Sequence, residues 1–158
     1  MSMFFDIFIE DEIDAKSIIV DLSGASKIDP VLRIDQDGSI STPEDYAFYL
    51  KTCSFPKRSR DEYERQLAHA TGYKLHCPVK RVVGDAKEQL TRLICGRIPQ
   101  LRGSVSLVSY STSVVFRYLY GDALCIYDSA SLSPDLHSFL LGVLGGNVRF
   151  VSDFFYMD

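Results

Sequence analysis

The sequence predicts an α+β fold, a mostly antiparallel mixed sheet of about five or six strands with three or four helices packed on it. Short stretches of alternating apolar and polar residues recur at about 3–9, 73–83, 104–110, 112–120, 123–128 and 147–156, the period of half-buried strands. The segments between them open on hydroxyl or carboxyl caps and several close on glycine, the chemistry of helix ends. The chain has 158 residues and is 46% apolar, enough to bury about two thirds of the surface its unfolded form exposes. It shows no repeat and no linker-like tract, so one domain over residues 1–158 is expected.

Phe5, Ile7 and Ile9 alternate with Asp6 and Phe8 and set the first strand. Residues 11–24 contain the β-branched run Ile18-Ile19-Val20, which suits a strand or a helix. Asp11, Glu12 and Asp14 at its start favour a helix, because its first turn presents unpaired amides. Val31 to Ser41 reads as a hairpin turning at Asp37-Gly38. Thr42-Pro43-Glu44-Asp45 opens a helix with a hydroxyl cap, a proline in its first turn and two acids. Tyr46, Tyr49, Leu50 and Cys53 then share a face.

Residues 58–71 form a charged helix whose apolar side is Tyr63, Leu67 and Ala70, which predicts a surface position. Asp85 and Glu88 resemble a capping box, and Ala86, Leu90, Leu93 and Ile94 form the buried stripe of a helix ending near Gly96. Tyr120-Gly121-Asp122-Ala123 reads as a two-residue turn joining an antiparallel pair. Ser133-Pro134-Asp135 caps the last helix, with Leu136, Phe139, Leu140, Val143 and Leu144 inward and Gly145-Gly146 ending it. A ferredoxin-like arrangement is one of several compatible with this order.

The formal charge is −4 and the isoelectric point near 5.3, which argues against a protein that coats nucleic acid with its whole surface. The charge is segregated. Residues 1–46 hold eleven acids and three bases, net −8; residues 47–102 hold twelve bases and five acids, net +7; residues 103–158 are net −3. The bases of the middle segment are dispersed and interrupted by Asp61, Glu62 and Glu64, so a solvated face paired with the acidic segment is expected there. Acids break the N-terminal apolar run, which predicts no secretory signal, and no stretch reaches the about 20 apolar residues of a membrane span.

Candidate chemistry is sparse. Residues 33–44 resemble the twelve-residue EF-hand calcium loop through Asp35, Asp37, Gly38, Ile40 and Glu44. Arg33 stands where the first carboxylate ligand belongs, and its charge opposes a divalent cation, so a turn running into a capped helix is the expectation. His69 and His76, flanked by Lys74, Lys80 and Arg81, have the groups for metal-free phosphodiester cleavage. Cys77 adjoins His76, but neighbours on a strand point to opposite faces, so Cys77 is expected to pack rather than react. Cys53, Cys77, Cys95 and Cys125 are scattered, as reduced thiols are. No phosphate loop, dinucleotide fingerprint or zinc cluster is present, and neither a metal nor a cofactor is expected.

The function expected is therefore that of a surface. Asp6, Glu10, Asp11, Glu12, Asp35, Asp37, Glu44 and Asp45 form the predicted partner-binding acids, which would steer and hold a basic protein. The concrete expectation is a cytoplasmic inhibitor of the toxin-immunity type, with no membrane or nucleic-acid partner and no catalytic residues. The alternative is a small hydrolase or nucleic-acid-processing enzyme using His69 and His76.

Overall fold

Alternation puts Phe5, Ile7 and Ile9 on one face of the first strand and Phe4, Asp6 and Phe8 on the other, and the fold covers both faces. The computed structural model describes residues 3–25, 33–34, 40–41, 51–52, 57–79, 86–110 and 112–158. In chain order the elements are β1 (Met3–Ile9), α1 (Glu12–Ala25), β2 (Arg33–Ile34), β3 (Ile40–Ser41), β4 (Lys51–Thr52), α2 (Lys57–Leu67) and β5 (Tyr73–Val79). They continue with α3 (Ala86–Cys95), β6 (Val105–Ser109), β7 (Ser113–Tyr118), β8 (Leu124–Ile126), α4 (Pro134–Leu144) and β9 (Val148–Phe150).

The main sheet has the order β4-β5-β1-β6-β7-β8-β9, in which β4 is a two-residue edge. Its pairs are antiparallel except β8 with β9, which run parallel because α4 carries the chain back along the sheet. The α+β class and the mostly antiparallel sheet thus match the sequence reading. β2 and β3 form a separate antiparallel pair, the hairpin expected between Val31 and Ser41; its turn residues lie outside the described residues.

On the first face, Phe5, Ile7 and Ile9 pack with Ile18 of α1, Leu90 and Ile94 of α3, and Leu136 and Leu140 of α4. On the second, Phe8, Val108 and Val114 pack with Leu67 of α2 and Met157 of the C-terminal segment. The Phe8 and Tyr63 rings lie 4.4 Å apart, so α2 seals this face with the apolar stripe read from its sequence. Ala68 ends α2 in the left-handed conformation, φ 61°, and Ala70 is exposed beyond it.

Three expectations change, and a fourth falls partly outside the described residues. Lys51–Thr52 pairs with β5 as a strand, not as part of a helix, because the edge of β5 offers ladder hydrogen bonds; the rest of the helix expected from Thr42 to Cys53 lies outside the described residues. The segment after α4 is a strand only to Phe150, then crosses the second face with a single bridge from Tyr156 to Ser113. The β7–β8 connection is five residues long, from Leu119 to Ala123, rather than two. Asp122 N–H bonds Leu119 C=O at 2.9 Å, and Gly121, φ 81°, takes the third turn position, which demands positive φ. Asp85 lies outside the described residues, while Glu88 accepts hydrogen bonds from the Ser133 N–H and hydroxyl, tying α3 to the cap of α4.

Candidate binding surface and the paired histidines

One end of the main sheet gathers the C-terminal ends of β1 and β7 and the N-terminal ends of β5, β6, β8 and β9. Glu10 follows β1 directly and is wedged between two glycines. A Cβ on Gly72 would stand 3.0 Å from the Glu10 carbonyl oxygen, and one on Gly103 would stand 3.1 Å from Glu10 Cβ. A side chain at either position would have to push Glu10 aside by a few tenths of an ångström. Glu10 N–H donates to Ser104 C=O at 3.0 Å, and Ser104 Oγ accepts Tyr120 N–H at 2.9 Å. The turn after β1 and the β7–β8 turn are thereby joined through the start of β6.

The two acids that follow divide the work. Asp11 Oδ1 accepts the N–H groups of Ile13 and Asp14 at 2.9 and 3.0 Å, the N-cap of α1. Glu12 is exposed and pairs only loosely with Lys16, 3.4 Å away in solvent, which contributes little. Asp14 turns inward, its carboxylate accepting Arg102 N–H at 3.0 Å and Gly103 N–H at 2.9 Å, which clamps the loop before β6 onto α1. This end also exposes Tyr73, Ile13 and Tyr120, the last 61% accessible, together with Asp122. Lys16, Arg102 and, at the second position of β9, Arg149 are exposed cations there.

Beside Tyr120 opens a cleft of about 410 Å³. Ile98, Pro99, Leu101, Val143 and Leu144 give it an apolar wall, and Tyr118, Tyr120, Asp122 and Asn147 line the rest. The opposite end of the sheet exposes a different aromatic pair, Phe154 and Tyr156, stacked 5.5 Å apart.

Of the predicted partner-binding acids, Glu10, Asp11 and Glu12 come together here. Asp6 does not join them. Its carboxylate is 1% exposed on the second face and accepts a hydrogen bond from His76 Nδ1 at 2.7 Å, because α2 and the C-terminal segment cover a face that alternation alone leaves open. Asp35, Asp37, Glu44 and Asp45 lie outside the described residues. Sequence reading missed Tyr120, Asp122 and Gly103, whose place beside Glu10 follows from strand order rather than from any local pattern.

The two histidines have separate partners. His69 is 8% exposed, with Nδ1 2.8 Å from Ala70 C=O and Nε2 2.7 Å from Ser106 Oγ, so Nδ1–H donates to the carbonyl and the Ser106 hydroxyl donates to Nε2. Burial pushes its pKa below 6.5, with Arg117 in the same direction, against the Ala70 carbonyl and the Glu10 and Glu64 carboxylates. His76, 28% exposed, leans on the Phe4 ring and is held by Asp6. Cys77 faces the opposite core from His76, and burial raises its thiol pKa far above the usual range.

Part of the segregated charge is internal. Asp21 accepts both guanidinium hydrogen bonds of Arg97, joining the −8 segment to the +7 segment. Among the described residues, no group of three His, Cys, Asp or Glu side chains is placed to hold a metal ion, and no helix is long and apolar enough to cross a membrane. The chain matches no protein-family model, and comparison with curated proteins and with solved structures finds no match.

Proposed function

We propose that the chain is a protein-binding module, an inhibitor of the toxin-immunity type that covers a basic surface of its partner with the acidic end of its sheet. The observation that carries this reading is the joined rim in which Glu10, fixed between Gly72 and Gly103, links through Ser104 to Tyr120 and Asp122. Exposed tyrosines beside exposed carboxylates supply what a basic partner needs: rigid aromatic contact area and long-range steering. The free thiols Cys77, Cys95 and Cys125 support a reducing, cytoplasmic setting.

A joint acid–base role for His69 and His76 has weaker support. Both ring nitrogens of His69 are already engaged in a nearly closed site, and His76 is bonded to a different strand.

The test is capture of the partner by crosslinking in the native cell, followed by association kinetics with the purified partner. The expected partner is basic, and its association rate falls at least tenfold between about 50 mM and 500 mM salt, as steered association does. A salt-independent rate, or an acidic partner, overturns the reading. Among the three contiguous acids, only Glu12 suits charge reversal. Asp11 caps α1, and Glu10 packs against Gly103, so their reversal would perturb the fold as well as the surface.

A further inference from the structure

We propose that the cleft between the β7–β8 turn and the C-terminal end of α4 receives an arginine side chain of the partner protein. This deepens the binding reading above and rests on it.

Four features of the cleft select this ligand. Its volume, about 410 Å³, falls within the range of ligand pockets. Ile98, Leu101, Val143 and Leu144 offer an apolar wall to an aliphatic stem. The residues lining it include one charged residue, Asp122, and no cation, so anionic ligands such as phosphates have no counter-charge there. Tyr118 and Tyr120 are among the lining residues, and a guanidinium stacks on tyrosine rings more favourably than a compact ammonium does.

The carboxylate is also oriented. Asp122 Oδ1 accepts the Ala123 N–H at 2.8 Å, and among the described residues no donor engages Oδ2. Gly121, φ 81°, forms the turn that sets this geometry, and Tyr120 is tied through Ser104 to the acidic turn at Glu10. A partner arginine entering the cleft would therefore lie beside the surface that the proposed function assigns to basic groups.

The test needs no partner. N-acetyl-arginine methylamide is titrated into the full chain while backbone amide shifts are followed by NMR, with N-acetyl-citrulline methylamide as the uncharged control. The expected result is saturable shifts centred on Tyr120, Gly121, Asp122 and Asn147 with a Kd of about 1–10 mM, the range of a single side chain. The citrulline analogue binds at least fivefold more weakly. Asp122→Asn, which keeps the oxygen that accepts Ala123 N–H, weakens the arginine probe at least fivefold while leaving the fold unchanged.

Shifts that are absent or scattered at about 50 mM, equal binding of citrulline, or full binding by Asp122→Asn would each overturn the inference. Failure of the acidic-surface reading is read separately, in partner kinetics, so the two failures are told apart.

Discussion

Asp14→Ala should unfasten the loop that carries the rim, and its cost follows from the hydrogen bonds lost. The buried carboxylate accepts the N–H groups of Arg102 and Gly103 at 2.9–3.0 Å, and alanine leaves both donors without an acceptor in a space closed by α1. A hydrogen bond to a charged group contributes about 1.5–3 kcal/mol, so the pair is worth about 3–6 kcal/mol. That is a large part of the about 5–15 kcal/mol by which domains are stable. With a urea dependence of about 2 kcal/mol per molar, the unfolding midpoint should fall by about 2 M. Asp14→Asn should fall between wild type and alanine, because its amide keeps one acceptor oxygen but turns a donor toward an N–H. A shift below about 0.3 M in Asp14→Ala would refute the clamp.

Three further outcomes follow from single contacts. His69 has a depressed native pKa, so the unfolded chain binds more protons below pH 6.5; its contribution to stability is complete above that value and is lost as pH falls toward the native pKa. Urea midpoints measured from pH 7.5 to 5 should therefore fall less steeply in His69→Gln than in wild type, and identical slopes would contradict the burial argument. Gly103→Ala forces a methyl within 3.1 Å of Glu10 Cβ and should cost about 1–3 kcal/mol by urea denaturation, whereas a neutral result would show that the loop has slack. Ser133→Ala removes the cap to Leu136 N–H, 3.2 Å away, and the hydroxyl bond to Glu88, and should lower stability by about 1–2 kcal/mol in the same assay.

The parts of the fold legible in the sequence are those with a local cause. Alternation marked β1, β5, β6 and β7, and cap chemistry marked α1 and α4 to within a residue or two. β4 and the parallel β8–β9 pair were not legible, because a two-residue edge and a crossover depend on which strands become neighbours. The same limit applies to the site. Glu10, Asp11 and Glu12 stand out as consecutive acids and Asp11 as a cap of α1, but nothing in the sequence places Asp122 at the same sheet end. Alternation alone puts Asp6 on the polar face of its strand. Here that face meets α2 and the C-terminal segment, and its polar residue is matched to His76.

The acidic end is tested most directly by charge reversal at exposed positions, with partner affinity measured by calorimetry. The Glu12→Lys/Asp122→Lys double variant should bind the captured partner at least 100-fold more weakly, while Asp153→Lys, exposed beside Phe154 at the other end of the sheet, should stay within about twofold. Undiminished affinity in the double variant, or an equal loss in Asp153→Lys, would contradict the assignment of partner binding to the Glu10–Tyr120 rim.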